Sequence, residues 1–517
     1  MPSIPVVSPA QSSAWDQRAE RAGIALETLM ECAGRAAVAV LLREFAPAAR
    51  QGVLVLAGTG HNGGDGWVMA RALARMGVPV TVVPLAGEPA PLAAHMAALA
   101  RAEGVREVPP DGPWPNAGIV VDAILGTGAK GAPRSAAAAL LERALELPVP
   151  VLALDGPTGV DLETGVVHGL PRADLTVTFG GYRRGHLLAR DDVGDVVVVD
   201  IGLPPGEPGW PRMVSDADAA AWLPALHAAD HKGDRGRVVV LGGEVGMTGA
   251  ARLAGRAAFA AGAGLVHVVA PEASVAAIRA SDPDLQTLAH ALGGALAPDL
   301  VELLHRADVL VVGPGLGRGD GRAEFVLELL AAARRAVLDA DALVALQGRV
   351  DDLAMLARGR TVVLTPHAGE FRTLFPELSS QRETDPWGAA SEAARRAGVA
   401  LLLKGVPTVV GHEGRAPLTV AAGNPGLATG GSGDVLSGML GALLARDADG
   451  QRAAAVAAQS LGRAADLAAR RVTARAMRPA DVIAALPDLW REWAVRGRVG
   501  VAWDPPVLAR LPAPRTV

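Results

Sequence analysis

Residues 424–438 read NPGLATGGSGDVLSG: a glycine-rich turn, then Asp434, then the start of an apolar helical run. Backbone N–H groups left free at a helix N-terminus attract anions, and the helix dipole adds to that attraction. Gly431 and Gly433 carry no Cβ, so a phosphate can approach the main chain. Asp434 would then lie beside the phosphate, where a carboxylate can take the proton from a hydroxyl attacking phosphorus. The competing reading is a plain glycine turn closed by a capping Asp. The pattern in the rest of the chain separates the two.

Working outward, short β-branched runs alternate with Ala- and Leu-rich helical stretches along the whole chain. The first half offers strands at Val53–Ala57, Val78–Pro84, Ile119–Ala123, Val151–Asp155, Leu175–Phe179 and Val196–Ile201. The second offers Val238–Leu241, Leu265–Val269, Val309–Val312, Val337–Asp339, Val362–Thr365, Leu401–Leu403 and Thr408–Val410. This alternation predicts an α/β fold with parallel sheets, whose ligands bind beyond the carboxyl ends of the strands. A Pro/Gly-rich stretch, GLPPGEPGWP at 202–211, reads as a linker between two domains, 1–212 and 213–495, with 496–517 as a tail. The length of 517 residues fits at least two domains.

Composition narrows the function classes. Net charge is −5 with no basic block, which argues against nucleic acid as a partner. Cys32 is the only cysteine, so neither an intrachain disulfide nor a multi-cysteine zinc site can form. A reducing cytoplasm fits. The first residues, MPSIPVVSPAQSSAWDQ, lack the basic and apolar regions of a signal peptide. The apolar stretch around residues 251–270 is broken by Arg252, Arg256 and His267 and reads as a buried helix running into a strand, so no membrane span is expected. A homo-oligomer is the expected assembly.

Three polar motifs follow strands in the first half. GTGHNGG at 58–64 contains a G-x-G-x-x-G pattern, a weak dinucleotide signal, because the next strand ends in Pro84-Leu85-Ala86 with no acidic residue before Glu88. HNGGDG at 61–66, VDAILGTGAKG at 121–131 and DGPTGVD at 155–161 are more specific, since they occur in order at successive strand ends. Together they resemble the NAD(P)H-hydrate epimerase domain, a Rossmann-like fold, over about residues 10–212. The resemblance implies epimerisation at the hydrated carbon of NADHX and NADPHX, with a potassium ion in the site. It assigns Asn62, Asp122 and Thr158 as oxygen ligands of potassium. It assigns His61, Asn62, Gly63, Gly64 and Asp65, the loop Gly126, Thr127, Gly128, Ala129, Lys130, Gly131 and Ala132, and Asp155 to the substrate. Asp155 is the implied acid/base group. A hard cation suits oxygen ligands, and a carboxylate in a partly dry pocket is expected to titrate towards neutrality. The chain departs from the family at His61, usually Asn, and at Thr158, usually Ser. In GGYRRGH at 180–186 the family lysine is replaced by Arg183 or Arg184, which can meet a phosphate but does not readily move protons.

The second half opens with DHKGDRGRVVVLGG at 230–243 and continues through VVGPGLG, LDADAL, LTPHAGEF and LLKGVPTVV to the GSGD turn. This series resembles the ADP/ATP-dependent NAD(P)H-hydrate dehydratase, a ribokinase-like domain, over about residues 215–495. The resemblance implies that Asp434 deprotonates the hydroxyl of the hydrated ring, which takes a phosphoryl group from ADP and then leaves as phosphate. It places Lys404, Gly405, Val406, Pro407, Thr408 and Gly433 on the nucleotide, and Ala250, Gly317, His367 and Asp434 on the hydrate. Magnesium is expected with the nucleotide. Two other readings stay open here: a vitamin kinase fused to a binding domain, and a first domain that binds without catalysing.

Overall fold

The computed structural model describes residues 4–169, 171–499 and 504–514. The chain forms two compact units. One runs to Trp210 and regains a C-terminal segment ending at Ala513; the other begins at Pro211.

The first unit is built on one eight-stranded sheet. Its order is 507–511, 195–199, 175–179, 151–154, 119–123, 53–57, 80–84 and 106–107, all parallel except the first. Val53–Ala57 is therefore the switch point: the chain goes to one side of it at 80–84 and to the other at 119–123. A crevice opens at its carboxyl end, and the His61–Arg75 helix starts there. The helix Pro9–Arg21 is set by a capping box, with the Ser8 side chain accepting from Gln11 N at 3.2 Å and Gln11 Oε1 accepting from Ser8 N at 2.8 Å. A two-residue parallel pairing of Val6–Val7 with Tyr182–Arg183 pins the segment after the 175–179 strand.

The second unit has a ten-stranded sheet, ordered 212–213, 418–420, 408–411, 400–403, 361–364, 335–338, 309–312, 237–241, 265–270 and 286–289. Only the 408–411 strand runs against its neighbours. With aromatics at 3% of the chain, close packing is reached by small residues instead. The helices Thr248–Ala260 and Ser432–Arg446 meet so tightly that a Cβ on Gly438 would lie 2.0 Å from the Ala254 carbonyl oxygen. Gly441 would meet Val311 at 2.5 Å. The glycine turn of 430–433 is thereby held at a fixed height over the sheet. Among the described residues no helix is long and apolar enough to cross a membrane.

Two expectations change. The 202–211 stretch is not a free linker, because it folds back on the first unit. Trp210 is buried edge-on to Trp15, at 5.3 Å between centroids, and Trp15 Nε1 donates to the Pro204 carbonyl at 2.6 Å. Residues 496–517 are not simply a tail. The last helix continues to Val499, and Val507–Leu511 pairs antiparallel with 195–199 as the edge of the first sheet; residues 500–503 and 515–517 lie outside the described residues. Arg190, itself buried, donates to the carbonyls of Leu511 at 3.2 Å and of Pro512.

A chain stopped before Asp504 takes two carbonyl partners from that guanidinium and leaves it the Gly194 carbonyl. A buried polar group without its partners costs about 1–3 kcal/mol, more when charged. We expect a lower urea midpoint for the first unit and faster amide exchange across 195–199. Unchanged exchange there would show that the returning strand contributes nothing.

Candidate active sites

In the first unit the strand ends enclose a cavity of about 560 Å³. Its walls include Asp16, His61, Asn62, Asp65, the 125–129 loop, Asp155 and Arg183. Asp155 has φ 62°, a left-handed conformation uncommon outside glycine, forced where the chain turns off the 151–154 strand into the cavity. Its carboxylate accepts from Thr127 N at 2.7 Å and from the Thr127 hydroxyl, and pairs with Arg183 at 3.1 Å. Burial pushes this carboxyl up, but Arg183 and Thr127 outweigh burial and hold it below the usual carboxylate range. The expected rise towards neutrality is thus reversed at Asp155. It occurs at two neighbours: burial, and then the charge of Asp155, push Asp65 well up, and burial pushes Asp16 up. His186 closes the arrangement from behind. Its Nδ1 accepts from Arg183 N at 3.0 Å while Nε2 donates to the Asp155 carbonyl at 2.6 Å, and burial pulls it down to about 4, so it is neutral.

Asp122 and Thr158 sit together just under this cavity. Asp122 is fully buried and accepts from Thr158 N at 2.7 Å, Thr158 Oγ1 at 2.8 Å and Ile124 N at 3.1 Å. Asn62, 8% exposed, has both amide atoms buried without a partner. Gly126 lies against both Asn62 and Asp155, since a Cβ there would come within 3.2 Å of the first and 3.1 Å of the second. The other residues of the glycine motifs separate by role. Gly63 and Gly64 pack beneath the helix, against the Gly58 carbonyl and Met30, and Lys130, Gly131 and Ala132 are exposed beyond the cavity wall. Asp16, Arg183 and His186 were not assigned from the sequence. Asp16 has no motif around it, whereas Arg183 was visible only as a departure from a lysine.

In the second unit Gly431, with φ 98°, caps the Ser432–Arg446 helix and no side chain does. Asp434 is in its first turn, as read from the sequence. Lys404 Nζ bonds Asp339 at 2.8 Å and lies 3.7 Å from Glu370. A Cβ added at Gly433 would be 3.5 Å from that ammonium, so the lysine reaches under the glycine turn. Asp339 is buried and also accepts from the Ser437 hydroxyl. Burial pulls Lys404 down, but Asp339 and Glu370 push harder and keep it charged. Burial, then Asp339, push Asp434 up to about 7, against Lys404. His367 caps the helix Ala368–Leu374, accepting at Nδ1 from Gly369 N at 2.9 Å and Glu370 N at 3.2 Å, so that nitrogen is committed to the backbone. Gly317 N donates to Asp341 at 3.0 Å, and Ala250 lies in the first turn of the 248–260 helix beside Gly315. In the 404–408 loop Val406 is exposed and the Thr408 hydroxyl donates to the Gly405 carbonyl at 3.1 Å. Asp339 and Glu370 stood inside quoted motifs, LDADAL and LTPHAGEF, but were not singled out.

Comparison with known proteins gives the family of both units. A family described as NAD(P)H-hydrate dehydratase matches residues 238–488, and one described as YjeF-related protein N-terminus matches 26–185. The bifunctional NAD(P)H-hydrate repair enzyme of Escherichia coli is 36% identical over 479 residues, covering 91% of this chain and 90% of that protein. The chain belongs to the bifunctional NAD(P)H-hydrate repair enzyme family. The relative from Pyrobaculum aerophilum is 38% identical over 502 residues, covering 93% of this chain and 97% of that protein. The Bacillus subtilis ADP/ATP-dependent NAD(P)H-hydrate dehydratase, co-crystallised with ATP/Mg2+, superposes with a TM-score of 0.47 at 25% identity, over 54% of this chain and 97% of that one. The parallel sheets of both units match the Rossmann-like and ribokinase-like expectation.

Because Asp339 contributes to the high pKa of Asp434, Asp339→Asn is expected to lower it. Carboxylate NMR titration of the intact chain should place Asp434 near 7 and move it down by at least about one unit in the variant. An unmoved midpoint would mean that burial alone sets it.

Proposed function

We propose that this chain repairs hydrated NADH and NADPH, epimerising NAD(P)HX in residues 1–212 and dehydrating the S epimer with ADP in residues 213–495. The observation that carries the second activity is Asp434, a carboxylate with a pKa of about 7 at an uncapped helix N-terminus above a charged lysine. A base works best when its pKa lies near the operating pH. Asp434 takes the proton of the ring hydroxyl, whose oxygen attacks the terminal phosphorus of ADP, and the bond to AMP breaks. First-turn N–H groups around Gly433 and the Lys404 ammonium receive the charge on the phosphoryl oxygens. The carbon–oxygen bond then breaks, phosphate leaves with the electron pair, and the ring nitrogen supplies the electrons. Hydroxide would be a poor leaving group and phosphate is a good one, which accounts for the nucleotide. Among the described residues no three His, Cys, Asp or Glu side chains converge on a metal site. Magnesium would come with the nucleotide phosphates.

For epimerisation, Asp155 is the base whose carboxyl Arg183 holds low, and Asp65 is the cavity carboxyl that burial pushes well up, the group suited to act as the acid. Asp65 protonates the departing hydroxyl on one face, and Asp155 takes a proton from the water returning on the other. Each turnover moves a proton from one carboxyl to the other, so the reverse direction runs with the roles exchanged. Asn62, Asp122 and Thr158 fit a potassium ion: the unpartnered Asn62 oxygen gains a ligand, and a cation offsets the desolvation that pushes Asp122 up. Held by these residues, potassium would supply a fixed positive charge to the site.

Asp434→Asn should lose about 10²–10⁴-fold of ADP-dependent dehydration and keep epimerisation. In the unaltered chain the dehydration rate should rise with pH through about 7 and level off above it, because the ionised form is the base. Retention of more than a tenth of the rate in the variant would remove Asp434 from this role. A product carrying phosphate ester instead of free phosphate would favour the fused-kinase reading.

Asp122→Ala should weaken both the potassium dependence and the rate of epimer exchange. Equal exchange rates in potassium-free and potassium-rich buffer would exclude the ion.

A further inference from the structure

Within the G-x-G-x-x-G turn at 58–63 Asn62 is the one potassium ligand, and Gly58, Thr59 and Gly60 carry neither an acid/base group nor a ligand. Its glycines divide as a phosphate-binding turn requires. A Cβ on Gly58 would lie 1.9 Å from the Ile124 carbonyl oxygen, and one on Gly63 would lie 1.9 Å from the Gly58 carbonyl oxygen, so both serve packing. A Cβ on Gly60 would meet nothing within 4 Å: this position faces open space at the uncapped N-terminus of the 61–75 helix. The first turn of that helix also carries Asn62, buried and unpartnered.

A second cavity, of about 470 Å³, opens on the other side of the same turn, and Thr59 lines both. The first cavity lies towards the 119–123 and 151–154 strands and holds the acid/base groups. The second lies at the end of 80–84, with prolines, Leu85, Val108 and Trp67 in its walls and Arg101 and Glu107 at its polar side. Arg101 stands over the Trp67 ring at 5.1 Å and bonds Glu107 at 2.7 Å. Glu107 lies on the 106–107 strand beside 80–84, supplying the acidic group that the sequence lacks directly after 80–84.

We propose that this second cavity receives the adenosine half of the dinucleotide, with the pyrophosphate over Gly60 and Arg101 facing the 2′-phosphate that distinguishes NADPHX from NADHX. The inference rests on the epimerase reading above. The apolar walls suit a purine ring, which stacks without needing base-specific partners. Glu107 accepts from ribose hydroxyls when the 2′-phosphate is absent. With NADPHX bound, Arg101 exchanges Glu107 for the phosphate, a stronger bidentate partner.

The test uses the full chain without nucleotide and follows interconversion of purified R and S epimers by chromatography. Arg101→Gln should raise the KM for NADPHX about tenfold and change that for NADHX less than about twofold, with kcat retained. Ala86→Trp, at an exposed position in the cavity wall, should raise KM for both substrates. Adenosine 2′,5′-bisphosphate should compete with NADPHX and lose potency in Arg101→Gln. KM values for both substrates unchanged from the unaltered chain in both variants, with normal epimerisation, would overturn the subsite and leave the epimerase reading standing. Absence of epimerisation in the unaltered chain would overturn the epimerase reading and, with it, the subsite.

Discussion

An ionised carboxylate cannot be taken out of water without a partner, and both sites are arranged around that constraint. In the first unit the partner is supplied. Arg183 and Thr127 grip Asp155 and keep it charged at the centre of a cavity whose other carboxyls are driven towards neutrality. In the second unit the nearest cation, Lys404, is engaged by Asp339 and Glu370, and Asp434 is left only partly compensated. One arrangement makes a fixed charge beside carboxyls that burial pushes up. The other makes a base that changes state around neutral pH. The difference lies in where the single cation is committed.

The sheets deliver these groups to the right places because nearly every connection between parallel strands begins at a carboxyl end. Asn62, Asp122 and Asp155 come from three different strand ends and meet only because 53–57, 119–123 and 151–154 are neighbours in the sheet. Lys404 and Asp339 are likewise contributed from the ends of 400–403 and 335–338, with 361–364 between them. The Ala- and Gly-rich contact between the 248–260 and 432–446 helices fixes the height of the glycine turn above that edge.

Much of this was legible in the sequence, and the losses have physical causes. The strands rich in valine and leucine were visible because their cores are dry on both faces. The strands 106–107 and 286–289 were not, since they are short and carry few β-branched residues, and 418–420 was not because it is only three residues long. Asp155, Asp122, Thr158 and Asp434 were readable from motifs, because glycines flank them for steric reasons. Asp16 was not: it lies on an ordinary amphipathic helix, and only the fold brings that helix over the cavity. The direction of the Asp155 shift was misread for a related reason. Desolvation could be anticipated from an apolar neighbourhood, but the opposing charge comes from Arg183, whose place beside Asp155 is decided by the pairing of Val6–Val7 with Tyr182–Arg183.

The strand at 507–511 gives the first sheet a peculiar history. Its partner at 195–199 leaves the ribosome about 300 residues earlier, which at bacterial or eukaryotic elongation speeds is a delay of roughly 15–60 s. For that interval the first unit has its cavity-forming strands in hand but presents a valine-rich edge with unpaired backbone groups. Such an edge is a template for pairing with any other nascent strand. The last segment of the chain therefore acts as a late cover for a surface exposed at the start of synthesis, and crowding on the polysome is the circumstance in which its absence would be felt most.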